Sequence, residues 1–374
     1  MNGNFPGTRP GRDRYPVIHA EHPIPHIRAV GTALPEHYVD QESLMAAFRE
    51  AWVQKGLNPR VLDRMHHAVQ VSGRYLSLPI AEYYGLDSFA KSNQAWSRVA
   101  PQIAEKAAAE ALKLAGLSAR DIDHLFLVTV TGVAAPSIDV RVINNLGMRT
   151  DVKRTPIFGL GCVGGAAGLS RASDYARAFP GEVSMLISVE LCSLTLQRED
   201  LSIANIIASG LFGDGGAAVI IEGGARTGSP GPKVVASRSV FYPNTENMMG
   251  WDIVESGFKI RLNAGVPDLV RENVRGDVDA FLGGHGLNRR DIRHWIAHTG
   301  GPKVLQAMEE SLELPPRALE RSWDSLNRTG NMSSASVLFV LAKFLEDGTA
   351  RSGDYGLLMA MGPGFCAELV LLRW

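Results

Sequence analysis

The chain has 374 residues, 45% of them apolar, with 38 Lys and Arg against 39 Asp and Glu and a formal net charge of -1. That length suffices for two units of ordinary domain size, and the balanced charge excludes nucleic acid as the main partner, because phosphate-backbone binding needs a basic excess. Three scattered cysteines, Cys162, Cys192 and Cys366, make no disulfide framework and fit a reducing cytoplasm.

Residues 1–24 begin MNGNFPGTRPGRDRYP, rich in Pro, Gly and Arg without the apolar centre of a signal peptide, and read as a surface tail. Gln102 to Leu114 is a strong helical stretch of Ala, Glu and Lys. A turn at Ala115 to Ser118 follows, then the apolar, β-branched run Asp123 to Val130, a buried strand. Val183 to Val189 and Ala217 to Ile221 are further buried strands. Alternation of this kind argues for the α/β class. No apolar run is long enough to span a bilayer, and the C-terminal one is broken by Gly362-Pro363-Gly364.

The chain also repeats itself. Residues 116–124 read GLSARDIDH and residues 286–294 read GLNRRDIRH, six of nine positions matching at an offset of 170. Gly161-Cys162 opens a run of small residues, and Gly330-Asn331 opens another at an offset of 169. A weaker pair sets Gly213-Asp214-Gly215 against Gly362-Pro363-Gly364. We therefore read two copies of one α/β unit, residues 25–225 and 226–374, divided near the Gly/Pro-rich stretch Gly223 to Pro232. Cys162 and Asn331 are then counterparts at the starts of two central helices. The same offset puts His298 opposite Val128, at a strand C-terminal end, where α/β folds bind ligands.

A thiol at a helix N-terminus gains thiolate character, and a nearby histidine can hold that anion as an ion pair. Glycines beside Cys162 would let a substrate approach the backbone. Asn331 and a protonated His298 would form an oxyanion hole. Taken singly, each has a structural reading: Cys162 as packing, His298 as a hydrogen-bonded strand end, Asn331 as a helix cap. Cys192 and Cys366 read as packing, and His124 and His294 as parts of the repeated turn. His66 and His67 lack partners at metal-ligand spacing, so no metal site is expected. Convergence of three polar residues at repeat-related ends favours chemistry.

At these residues the sequence resembles the type III polyketide synthases, the chalcone synthase superfamily of the thiolase fold. The matching stretches are GCVGGAAGL, LFGDGGAAVII, WIAHTGGPKVL, GNMSSASVLFVL and MGPGFCAELVLL, in order from about residue 27 to the end. The resemblance implies a layered αβαβα core of duplicated halves. It implies that Cys162 takes an acyl starter from coenzyme A, and that His298 and Asn331 hold the enolate of decarboxylated malonyl-CoA. Acyl-CoA and malonyl-CoA would be the substrates. CO2 loss drives the condensation, so no metal or redox cofactor is needed. A homodimer is also implied.

Phe212 matches the family's gatekeeper, and Ile260 stands at the second gatekeeper position. Trp251 replaces a cavity glycine of the plant enzymes. Cys192 and Thr195 fall where members tune cavity shape, and Ala135 where a methionine crosses the plant dimer. Gly300, Gly301 and Ser333, flanking His298 and Asn331, are further expected substrate contacts. Arg64 matches one basic CoA contact, two others read Val61 and Ala68, and Lys303 can supply replacement charge. MGWD and GRYLSLP resemble bacterial members that start from long fatty acyl-CoA and make alkylpyrones or alkylresorcinols. Three rivals remain at this point: a single-condensation β-ketoacyl-ACP synthase III-like enzyme, a thiolase or hydroxymethylglutaryl-CoA synthase using Cys366, and a scaffold without catalysis.

Overall fold

The structure, a computed structural model, describes residues 23–226 and 231–374. The expected tail, up to residue 22, and residues 227–230 of the expected boundary lie outside the described residues. The first half runs β1 (His26–Ala33), β2 (His37–Asp40), α1 (Gln41–Val53), α2 (Pro59–Ala68), β3 (Gly73–Leu76), α3 (Ile80–Tyr83), α4 (Phe89–Ala115), β4 (His124–Val128), α5 (Asp139–Leu146), β5 (Lys153–Ile157), α6 (Gly164–Ala178), β6 (Val183–Leu191), α7 (Ile203–Leu211) and β7 (Asp214–Glu222). The second runs β8 (Lys233–Phe241), β9 (Met249–Val254), β10 (Gly257–Leu262), α8 (Val266–Gly283), β11 (Ile292–Ala297), α9 (Pro302–Leu312), α10 (Glu320–Thr329), α11 (Ser336–Asp347), β12 (Tyr355–Gly362) and β13 (Cys366–Arg373).

Nine strands form one sheet in the order β11-β12-β13-β8-β1-β7-β6-β4-β5. At the join, β1 meets β8 through a single paired register, His26 opposite Lys233. Outward from that join the order is β1-β7-β6-β4 on one side and β8-β13-β12-β11 on the other, which are the repeat-related strands in the same sequence. Helices α6 and α11 touch strands of both halves, so they lie between them. Helix α4 covers β1, β6 and β7 from outside, while α8 and α9 share an apolar cluster with β11, β12 and β13. The result is the αβαβα layering of a duplicated α/β unit.

The repeated nonapeptide has a local cause. In each copy an Asp carboxylate caps a short turn: Asp121 accepts from the backbone N–H of Ser118 at 2.7 Å, and Asp291 from that of Asn288 at 2.8 Å. His124 and His294, the last residues of the two copies, make structural bonds to Thr155 (2.8 Å) and Asp354 (3.0 Å).

Helix α4 begins 13 residues before the stretch that composition marks, and Pro101 lies inside it. Proline at that position leaves the carbonyl of Ser97 without its helical donor. The Arg141 guanidinium donates to that carbonyl instead, at 2.5 Å.

The glycines beside Cys162 need correction. A Cβ on Gly165 would lie 2.1 Å from the carbonyl oxygen of Ser334, and one on Gly164 2.7 Å from Val128 Cγ1. Gly161 has φ +51°, and its missing Cβ makes room for Pro363. These glycines let the two halves pack closely; their open side is filled by protein, not left for substrate.

Candidate active site

Cys162 lies in a short 3-10 turn, Gly161–Val163, that feeds α6, and Ser333–Ala335 is the equivalent turn feeding α11. The two turns touch. The Cys162 thiol donates to Ser333 Oγ at 3.7 Å and is also hydrogen-bonded by the Asn331 side chain. Asn331 is held on three sides. Its N–H donates to Leu211 O (2.9 Å), its C=O accepts from Gly213 N–H (3.0 Å), and its Oδ1 accepts from Ser333 N–H (2.8 Å). That last bond orients the side chain with its NH₂ group available to a neighbour.

His298 follows β11, and its N–H donates to Met359 O on β12 at 2.9 Å. Farther along, β12 reaches the Cys162 turn, where Gly362 lies against Val163 N and Leu160 O. One strand thus links both residues to the same end of the sheet. The His298 ring is buried, and neither ring nitrogen has a partner among the described residues. Gly300 donates its N–H to His298 O at 3.0 Å, and Gly301, at φ +137°, turns the chain into α9.

Burial works against both charges of the ion pair expected from sequence. Burial raises the Cys162 thiol to about 11; the Ser333 bond opposes this, and the Glu190 carboxylate adds to it. Burial lowers His298 to about 3. Burial thus favours the thiol and the neutral imidazole, because neither charge has water to stabilise it. An imidazole with a free nitrogen can take the thiol proton as the sulfur attacks, and its N–H can donate to an oxyanion without being charged beforehand.

Sequence reasoning missed Glu190, the one acidic residue of the fully buried strand β6. It accepts from Val130 N–H (3.0 Å) and Thr131 Oγ1 (2.9 Å), and from Ser334 Oγ, which follows Ser333. Burial raises its pKa to about 7, with these donors opposing. It ties the loop after β4 to the turn that carries Ser333. The available signal was a lone acid inside a strand whose other residues are apolar or serine.

Beside this cluster lies an apolar-walled cavity of about 220 Å³, lined by Phe212, Trp251, Ile260, Cys192 and Thr195. Its far wall comes from α1, through Leu44, Phe48 and Trp52, which no motif indicated. Cys162, His298 and Asn331 are not on its wall. Phe212 touches both cluster and cavity: its backbone bridges to Asn331, while its ring lines the cavity and faces Trp251 with centroids 6.5 Å apart. The buried Arg74 guanidinium fixes Phe212 from behind, donating to its carbonyl at 3.3 Å and to that of Ser209 at 2.9 Å. Cys192 lines the cavity while lying in the field of Cys162 and Glu190.

The remaining expected residues fall outside the cavity. Ala135 is exposed on the loop after β4 and does not line the cavity of its own chain, which leaves it free for the dimer-crossing position expected from sequence. Arg64 on α2 and Lys303 on α9 are both exposed. Helix α2 packs on α7, and Gly301, two residues before Lys303, faces Leu211 of α7. The two cations therefore flank the same helix.

The family description "Chalcone and stilbene synthases, N-terminal domain" matches residues 19–225, and its C-terminal counterpart matches residues 233–374. The chain belongs to this family, the type III polyketide synthases.

A 1,3,6,8-tetrahydroxynaphthalene synthase of Streptomyces peucetius subsp. caesius is 51% identical, over 93% of each chain. A 3,5-dihydroxyphenylacetyl-CoA synthase of Streptomyces toyocaensis is 32% identical, over 94% of this chain and 90% of its own. The crystal structure of the 1,3,6,8-tetrahydroxynaphthalene synthase of Streptomyces coelicolor A3(2) superposes with a TM-score of 0.85 at 30% identity, over 93% of this chain and 99% of that one. As a type III polyketide synthase the chain is an acyltransferase that condenses malonyl-CoA, which sets aside the carrier-protein, thiolase and scaffold alternatives. Among the described residues, no helix is long and apolar enough to cross a membrane.

Proposed function

We propose that Cys162 carries the acyl chain and that His298 and Asn331 hold the oxyanions. The observation that carries this reading is the bonding of the Cys162 thiol to Ser333 and Asn331, at the sheet end where His298 keeps both ring nitrogens free. The sulfur attacks the thioester carbonyl of an acyl-CoA, its proton passes to His298, and coenzyme A leaves with that proton. Malonyl-CoA then loses CO2, and the electron pair of the broken C–C bond becomes an enolate whose oxygen accepts from His298 and Asn331. The enolate carbon attacks the Cys162 thioester, forming the new C–C bond and releasing the thiolate. CO2 loss supplies the driving force, so the reaction asks for no cofactor beyond CoA thioesters.

The starter we propose is a long fatty acyl-CoA, with an alkylpyrone or alkylresorcinol as product. The apolar walls behind Phe212 support it, since a polar chain would gain nothing from Leu44, Phe48 and Trp52. A second reading comes from the relative at 51% identity. The ten ring carbons in its product's name, oxygenated at alternate positions, correspond to two-carbon units with no alkyl tail. Mass spectrometry of products from a panel of acyl-CoA starters with malonyl-CoA separates the two. A tail that tracks the starter is expected; a naphthol from malonyl-CoA alone, with long-chain starters inert, would overturn the fatty starter.

Arg64 and Lys303 are proposed contacts for the CoA phosphates, with Gly300 and Gly301 beside the thioester arm. CoA thioesters as substrates are consistent with action in the cytoplasm. A homodimer is proposed through β5, the edge strand of the sheet, which Phe158 extends with an exposed ring. Light scattering should give twice the 40.4 kDa chain mass, and a monomer at working concentration would refute it.

A further inference from the structure

The hairpin β9–β10 is a separate two-stranded sheet with no ladder to the nine-stranded one. It nevertheless supplies one cavity wall, because Trp251 and Ile260 are direct cross-strand partners and both line the cavity. An adjoining wall is the turn that follows β6, with Cys192 and Thr195. Something other than backbone pairing must fix the distance between these walls.

Gln197 is placed to do this. Its side chain is 6% exposed and lies outside the cavity lining, between the turn and the hairpin. Its amide nitrogen donates to Thr195 O (3.3 Å) on its own turn and to Ser256 O (3.4 Å) and Phe258 O (3.3 Å) on the hairpin. Its amide oxygen accepts from Ser256 Oγ at 2.5 Å. Its own carbonyl is anchored by Asn205 Nδ2 on α7, at 2.8 Å. Other ties of the hairpin are ring contacts of Phe258 with Phe89 (5.4 Å, edge-on) and Phe158 (6.4 Å) and of Trp251 with Phe212 (6.5 Å), and an ion pair of Lys259 with Asp200, at 3.3 Å. Among the described residues, Gln197 alone has a side chain hydrogen-bonded to both walls.

We propose that Gln197 is a positioning residue for product length: it clamps the hairpin to the Cys192–Thr195 turn and so sets the width of the cavity that receives the growing chain. This rests on the reading that the cavity behind Phe212 holds that chain. Gln197→Leu keeps the bulk and removes every side-chain bond. Ser256→Ala removes one bond at an exposed turn and leaves the fold alone.

The test compares both variants with the wild type by mass spectrometry of products, KM for the starter, and malonyl-CoA decarboxylation without starter. Gln197→Leu should change the ratio of longer to shorter products by about tenfold, the scale on which pockets discriminate a methylene, and raise KM for the starter. Ser256→Ala should shift the ratio less and in the same direction. Decarboxylation should stay within about twofold, because Cys162, His298 and Asn331 are untouched. Unchanged ratios in both variants would overturn the inference, and so would decarboxylation falling in step with condensation in Ser256→Ala. If malonyl-CoA is the sole substrate, the same ratio is read on the number of units joined, so failure of the fatty-starter reading leaves this test standing.

Discussion

Cys162→Ala is expected to abolish condensation while malonyl-CoA decarboxylation persists. The first effect follows from losing the only acyl acceptor in the proposed cycle, and removal of a nucleophile of this kind costs roughly 10⁴–10⁶ in rate. The second follows from how the oxyanion donors are held. Asn331 is fixed by Leu211, Gly213 and Ser333, and His298 by Met359, none of which involves the sulfur. Alanine leaves a small space beside Ser333 and no unpaired buried charge, so the fold should tolerate it. Acetyl-CoA release from malonyl-CoA, measured without starter, reads the retained step. Loss of both activities from a folded variant would mean that the thiol itself stabilises the enolate.

Asn331→Ala should lower decarboxylation by roughly 10²–10³, about 2.7–4 kcal/mol, the cost of one oxyanion donor in a closed site. Alanine also removes the acceptor for Ser333 N–H, and Ser333 sits at φ +48°, a conformation that needs local support. Asn331→Asp separates the two effects. It keeps an oxygen for Ser333 N–H and loses the NH₂ donor, so it should be as impaired as the alanine variant. Activity near wild type in Asn331→Asp would remove Asn331 from the oxyanion site and leave it holding Ser333 in place.

What the sequence disclosed and what it hid have different physical origins. The repeat was legible because each copy of the nonapeptide builds the same capped turn, Ser118 with Asp121 and Asn288 with Asp291, ahead of the same strand. That equivalence carried Cys162 to Asn331, and the structure brings their turns into contact. The cavity was not legible, since Leu44, Phe48 and Trp52 come from a segment with no counterpart in the repeat and meet Thr195 across about 150 residues. Arg74 and Glu190 were hidden for a related reason. Their partners, Phe212 and Ser334, are distant in sequence, and a single buried charge leaves no periodic trace. The glycines around Cys162 misled because a small residue looks the same whether its space is kept for a ligand or taken by Ser334 of the other half. The thiol's environment was only half legible: a turn that feeds a helix favours the anion, but burial, which no motif records, pushes the Cys162 thiol up to about 11.

Of the three cysteines, Cys162 is the one proposed to carry the growing chain. The direct measurement incubates the enzyme with a fatty acyl-CoA in the absence of malonyl-CoA, quenches in acid, and maps the acyl mass by peptide mass spectrometry. One acyl group is expected, on the peptide containing Cys162, and none on Cys192 or Cys366, whose thiols burial also raises. Acylation of Cys192 or Cys366 in the wild type, or its persistence in Cys162→Ala, would contradict that role.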